Sequence, residues 1–332
     1  MGGKALKLAY TERKSTEDYL RLYNEIITVL NKELSADVHL VESYRNKQDH
    51  GDMDLLIKSS KNLVEFNREL IEFVKVHFNP TEIFDNTENL SFDYKAFQID
   101  FILVKEEYWE LAKVFYNFDP SGNLMGKTAH KFGCKYGFEG LYYPYRYLDG
   151  RISKNITLSN DNRAIFDFLG YDYDWFLKGF ETMEEIFDFA TSSKYFDYTD
   201  FLMENLNHED RKRNIKRASY QKFLTYMEDK KLTNICKLER DDNKRVLYIN
   251  EQFPDIRIFE QMHDLMENYE TSEIIKKKFN GDLIKSIYPE LEGKGLGNVM
   301  NDFQKNFDNF KSYALNNSSE KIMNDFGLFY KQ

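Results

Sequence analysis

An α+β fold follows from three features of this 332-residue chain. Short β-like runs rich in Val, Ile, Leu and Phe cluster in its first third. Helical patterns flank those runs. From Thr182 onward most segments carry the helical pattern, so the sheet-forming part and the purely helical part follow one another along the chain. No internal repeat is visible.

Taken in order, Thr16 to about Leu34 is helical. Thr16 is its expected N-cap, and Tyr19, Leu20, Tyr23, Ile26, Ile27 and Leu30 recur at helical spacing. Strands are expected over 37–43 and 52–58. A second helix, capped by Ser59 or Ser60, carries Leu63, Phe66, Leu70, Phe73 and Val74 on one face and ends before Asn79-Pro80. Strands follow over 81–84, 90–94 and 97–104. The order helix, strand, strand, helix, strands describes a small sheet unit. Beyond it, 108–118 reads as a helix, 119–123 as a loop, the segment around 127–132 as a helix ending in Gly133, and 137–147 as β-like or irregular. A short capped helix spans 159–169. The polar stretch 241–256 reads as a loop, and the tail 316–332 as a soft break before a final amphipathic piece.

Composition limits what the chain can do. Its formal net charge is −10, which disfavours a broad nonspecific nucleic-acid footprint and requires that any such contact be local. No apolar run approaches the roughly 20 residues that span a bilayer, so no membrane is expected as a partner. The N-terminus lacks the apolar segment of a secretory signal, so none is expected, and Leu6 stands where a myristoylation motif wants Ser or Thr. The 2 cysteines, Cys134 and Cys236, are far apart and form neither a disulfide framework nor a zinc spacing. A cytoplasmic location is expected.

The chemistry concentrates in Val41-Glu-Ser-Tyr-Arg-Asn-Lys-Gln-Asp-His-Gly-Asp-Met-Asp-Leu-Leu-Ile57. Residues i and i+2 of a strand share a face, so Asp52 and Asp54 project together while Met53, Leu55 and Ile57 face the other way. Asp100 lies in the strongly β-like Phe97-Gln-Ile-Asp-Phe-Ile-Leu-Val104. The apolar flanks put these strands in a core, where acids are costly unless paired or bound to metal. Three carboxylates on neighbouring strands can hold two Mg²⁺ ions, with Mn²⁺ as a substitute. The turn at Ser43-Tyr-Arg45, with Lys47 behind it, suits a phosphate.

This pattern resembles the DNA polymerase beta-like nucleotidyltransferase superfamily. Ser43, the Gly51-Asp52-Met53-Asp54 run and Asp100 match its turn, its Asp-x-Asp strand and its later lone Asp. The resemblance is closest to the palm and thumb of family X polymerases. It continues through Val114-Phe-Tyr-Asn-Phe118, Ala129-His130, Gly137-Phe138 and Ser159–Gly170, and covers roughly 37–171. Glu42 replaces the first glycine of the family's Gly-Ser pair, and the turn is about one residue shorter than the family's. The N-terminal segment is too short for the lyase domain of many family X enzymes. From about Glu181 the chain is more like tRNA nucleotidyltransferases or poly(A) polymerases.

The resemblance implies a catalytic palm with an N-terminal helix over 1–105, a thumb-like subdomain over 106–178 and a helical C-terminal domain over 179–332. It implies Asp52, Asp54 and Asp100 as metal ligands and catalytic residues. Ser43, Arg45 and Lys47 would contact the triphosphate of an NTP or dNTP, Tyr116 its sugar and base, and Asn123 a base edge. Arg211-Lys-Arg-Asn-Ile-Lys-Arg217 is the densest basic run. Arg211, Arg213, Lys216 and Arg217 are therefore the candidates for a nucleic-acid backbone, with a solvated charged helix as the alternative. Lys127, His130, Lys131 and Lys135 form a second basic cluster that either faces phosphate or is solvated surface. Glu292-Gly-Lys-Gly-Leu-Gly297 is either a phosphate-binding turn or a tight interhelical turn. The expected activity is transfer of a nucleoside monophosphate from a (d)NTP to the 3′-hydroxyl of a nucleic acid, with release of pyrophosphate. The alternatives are nucleotidylation of a protein or small-molecule hydroxyl, and a noncatalytic nucleic-acid-binding module.

Overall fold

The structure, a computed structural model, describes residues 5–34, 36–147, 150, 152–236 and 241–331. It is a mixed α+β fold in two compact units. The first comprises 1–144 and 155–256, and the second 145–154 and 257–332. The expected boundary at 178/179 does not separate these units: the helices from there to Ile256 belong to the first.

The first unit begins with β1 (Lys14–Ser15), α1 (Thr16–Glu33), β2 (Val38–Leu40), β3 (Asp49–His50), β4 (Asp52–Ser59) and α2 (Leu63–Phe78). There follow β5 (Ile83–Asp85), β6 (Asn89–Tyr94), β7 (Phe97–Lys105), α3 (Trp109–Tyr116) and α4 (Ser121–Lys131). Next come β8 (Lys135–Gly137), β9 (Gly140–Arg146) and β10 (Ile152–Ser159), the last two with their 145–146 and 152–154 ends in the second unit, then α5 (Asn162–Leu169), α6 (Tyr173–Leu177) and α7 (Met183–Thr191). Then α8 (His208–Asn214), α9 (Ala218–Asp229) and α10 (Asp242–Gln252) complete it. The second unit adds α11 (Ile258–Lys278), α12 (Gly281–Ile287), α13 (Gly293–Lys305), α14 (Phe310–Asn316) and α15 (Ser319–Tyr330).

The main sheet has five strands in the order β2-β4-β7-β6-β5. β4 and β7 are its parallel pair, and the other neighbours are antiparallel. The crossover from β4 runs through α2 and the β5–β6 hairpin before returning as β7. One sheet face is apolar. Met53, Leu55, Ile57, Ile99, Phe101 and Leu103 bury there under Ile26 and Leu30 of α1 and Leu70 and Val74 of α2. Odd-numbered residues of β4 and β7 make this core, which sends the even-numbered ones, the three aspartates among them, to the opposite face.

Several local expectations are corrected. Ser15, not Thr16, caps α1 by accepting from the Asp18 amide, and Asn62 caps α2. The Thr16 hydroxyl instead donates to the Lys47 carbonyl, 2.5 Å away. Ser121-Gly-Asn123 is not a loop: it is the first turn of α4, with the buried Ser121 hydroxyl donating to the Asn117 carbonyl at 3.0 Å. The stretch 241–256 is mostly α10, nucleated by an Asp241 side chain that accepts from the Lys244 amide. Val246 and Ile249 give it a buried face too narrow to stand out in a polar sequence. The glycines at 293, 295 and 297 lie inside α13 rather than in a turn before it.

In the second unit α11 to α15 surround a cluster that includes Phe279, Ile284, Phe303, Ala314, Ile322 and Phe326. Lys278 closes the end of α14 by donating to the carbonyls of Ala314, Leu315 and Asn317. Among the described residues no helix is long and apolar enough to cross a membrane.

Ile26 is fully buried between α1 and the sheet. Ile26→Ala is expected to destabilise the first unit by about 2–5 kcal/mol, read as a lower urea midpoint with an unchanged m-value.

Candidate active site

Asp52 opens β4 and Asp54 follows on the same face. In the parallel ladder Asp100 lies beside Asp54 and Gln98 beside Asp52. One oxygen from each of the three aspartates lies within 4.8 Å of the others. Farther along the same face the strands turn apolar. Leu56, Ile102 and Val104 are buried with Ala112 of α3, and Trp109 and Tyr116 pack around them. The helix thus covers the C-terminal half of the strand pair and leaves the acidic half facing a cleft of about 510 Å³.

The crowding shows in the protonation equilibria. Burial pushes the Asp54 carboxyl well above its usual range, and the charges of Asp52, Asp100 and Asp119 push it further, against Lys47. Burial raises Asp100 to about 6, against hydrogen bonds from Ser91 and Gln98, while the charge of Asp52 adds to the rise. The Gln98 amide donates to both Asp100 oxygens, at 3.0 and 2.8 Å. A close set of hard oxygen donors that repel one another fits a divalent cation such as Mg²⁺, which would remove the repulsion.

The turn between β2 and β3 forms one wall. Ser43 and Lys47 line the cleft, and the Lys47 ammonium donates to the Ser43 hydroxyl at 3.0 Å. Burial lowers the pKa of Lys47, while Asp52, Asp54 and Asp119 oppose that shift. The turn is pinned from outside. The amides of Arg45 and Asn46 donate to the carbonyls of Phe180 and Glu181, each at 2.9 Å. The Arg45 guanidinium is committed to the Glu181 carboxylate and the Lys178 carbonyl, and it does not line the cleft. Gly179, at φ +68°, makes room for it: a Cβ there would lie 3.0 Å from an Arg45 nitrogen. Glu42 is held by Asn117. Its amide donates to Asn117 Oδ1 at 2.9 Å, and its carboxylate accepts from Asn117 Nδ2 at 3.3 Å.

Tyr116 lines the cleft, its ring stacked on Phe138 with centroids 5.9 Å apart. Asn123 does not line it; its side-chain oxygen accepts from Arg213 at 3.0 Å, which ties α4 to α8. Arg211 donates to the carbonyls of Met203, Glu204 and Leu206 and fastens the preceding loop. Lys216 and Arg217 do line the cleft, beside Ala218, Ser219 and Lys222 of α9. Among the described residues, Lys216, Arg217 and Lys222 form no ion pair. No side chain caps the first turn of α9. The second basic cluster is divided: Lys127, His130 and Lys131 line a separate recess, and Lys127 and Lys131 are paired there with Asp210, Asp197 and Asp200.

Sequence reasoning passed over Lys222, Ser219, Arg13 and Asp119 as cleft residues. Lys222 lies just past the basic run it belongs with. Nothing local in the sequence distinguishes Asp119 from an ordinary turn aspartate. Comparison with protein-family models and with curated proteins gives no match for this chain.

Two outcomes follow. Asp100 has a folded pKa above its unfolded value, so the cost of its charged form is complete above about pH 6 and shrinks as pH falls from 6 toward the ordinary value of 3.8. Asp100→Asn is therefore expected to raise stability at pH 7.5 in EDTA by about 2 kcal/mol, read as a higher melting temperature, with the gain reduced at pH 5 and gone by about pH 4. Arg211→Ala is expected to lower stability by about 1–2 kcal/mol, because it frees three carbonyls, whereas Arg217→Ala, with no ion pair to lose among the described residues, is expected to cost under about 0.5 kcal/mol; chemical denaturation checks both.

Proposed function

We propose that this protein is a divalent-metal-dependent nucleotidyltransferase of the polymerase beta-like class. It moves a nucleoside monophosphate from an NTP or dNTP to an acceptor hydroxyl, the 3′ end of a nucleic acid, and releases pyrophosphate. The observation that carries this reading is a pairing of opposites across one cleft. Asp52 and Asp54, with Asp100 clustered beside them, share one cleft with Lys216, Arg217 and Lys222, which form no ion pair among the described residues. A triphosphate with bound cations is the ligand whose charge complements both sides.

Asp52, Asp54 and Asp100 would hold Mg²⁺, which when bound neutralises the reacting phosphates and makes the acceptor hydroxyl more acidic. The chain's own residues do the rest. Ser43 and Lys47 offer a hydroxyl and an ammonium to phosphate oxygens. The uncapped first turn of α9 adds amide N–H groups and the positive end of a helix dipole. Tyr116 presents an aromatic face to the sugar or base. Lys216, exposed in the cleft wall, supplies positive charge for an acceptor backbone.

The test is transfer of label from NTPs and dNTPs in Mg²⁺ to RNA, DNA, protein and small-molecule acceptors. Primer extension is expected, with loss of at least about a thousandfold in kcat for Asp54→Asn and a raised KM for the nucleotide in Lys222→Ala. Label only on protein or small molecules would replace the acceptor. No transfer to any acceptor would overturn the reading.

A further inference from the structure

We infer that Asp119 is the residue that selects the sugar, accepting hydrogen bonds from the ribose hydroxyls of the incoming nucleotide and so favouring NTP over dNTP. This inference rests on the reading of the cleft as a nucleotide site. Asp119 lines the cleft with Tyr116, three residues before it in the chain. Among the described residues its carboxylate has no hydrogen-bond donor and no ion-pair partner. It is not one of the aspartates whose oxygens lie within 4.8 Å of one another, so it stands apart from the metal-ligating set.

Asp119 is exposed, so water solvates its carboxylate, yet beside a triphosphate site that charge is unfavourable. It repels the phosphates, and it already opposes ionisation of Asp54. Its field also reaches Lys47 and Arg217, the cations on either side of the cleft. The repulsion is offset where the ligand brings donors to the carboxylate. A carboxylate only accepts hydrogen bonds, and a vicinal diol is the donor-bearing part of a nucleotide nearest the phosphates. The backbone just before Asp119 is held in place. Phe118 sits at φ +58°, and its amide donates to the Glu42 carbonyl at 2.8 Å. The Phe118 ring packs edge-on against Phe176 and Phe180, with centroids 5.3 and 5.0 Å away. The residue that follows is therefore carried by a well-anchored segment between α3 and α4.

The experiment is equilibrium binding of ATP, 2′-deoxy-ATP and 3′-deoxy-ATP, with Mg²⁺, to the full chain and to its Asp119→Ala and Asp119→Asn variants. The wild type is expected to bind ATP about tenfold more tightly than either deoxy analogue, the worth of a hydrogen bond to a charged group. Asp119→Ala is expected to bring the ratio close to one, with deoxy-nucleotide binding unchanged or improved because a repelling charge is gone. Asp119→Asn keeps the side chain's size and should still lose most of the preference. Equal binding of the three nucleotides by the wild type would overturn the inference and leave the nucleotide site standing. So would an unchanged ratio in both variants, or a parallel loss for all three ligands, which marks a structural role. No binding of any nucleotide to the wild type would overturn the nucleotide reading and this inference with it.

Discussion

The arrangement of this protein turns on the repulsion among carboxylates at the parallel β4–β7 pair. The ladder sets Asp54 directly beside Asp100. The hydrophobic core on the other sheet face leaves neither strand free to slip by one residue without burying acids and exposing Met53, Leu55, Ile99 and Phe101. The core therefore holds the charges together, and their mutual repulsion is a cost that packing elsewhere must exceed. Carboxylates crowded in this way lower the stability of the fold unless a cation neutralises them.

The cationic side is placed by a different set of contacts. Lys216 and Arg217 precede α9, and α9 joins the first unit through Tyr220, Phe223 and Met227, which pack with Phe187 and Phe201. α8 just before it is tied to α4 twice, by the Lys127–Asp210 ion pair and by Arg213 on Asn123. Arg211 joins α8 to its own preceding loop. The basic run thus divides its labour: its first half anchors, its second half faces the cleft. The turn at 43–47 is fixed in the same manner, by backbone bonds to 180–181 on one side and by Asn117 and Phe118 on the other. Contacts far apart in sequence set the width of the cleft, and its two charged faces answer to separate packing networks.

That division explains what was legible in the chain itself. Strand periodicity is local, so the facing of Asp52 and Asp54, and the core identity of Met53, Leu55 and Ile57, could be read directly. The partnership of Asp100 needed only that its strand pair with theirs. The three strands after α2 and the helix over α5 were likewise marked by pattern and turn residues. Arg45, Asn123, Arg211 and Arg213 could not be sorted this way. A basic or amide side chain on a surface segment reads alike whether it meets a ligand, a carbonyl or a neighbouring helix, and only tertiary contacts decide. The helices at α4 and α10 were obscured for a related reason: Gly, Asn and Asp have low intrinsic helix propensity, and packing overrode it.

The net charge of −10 then takes on a specific meaning. An acidic chain with a broad positive surface would be contradictory, but cations confined to one cleft wall are not. At physiological ionic strength exposed charges are screened over about 8 Å, so the distant acids on the surface contribute little inside the cleft. Inside the cleft the local set decides: Asp52 and Asp54 with Asp100 clustered beside them, Asp119, and Lys216, Arg217 and Lys222, which make no ion pair among the described residues. Acids and cations gathered in one cleft favour a ligand that carries both signs of charge over one that carries negative charge alone.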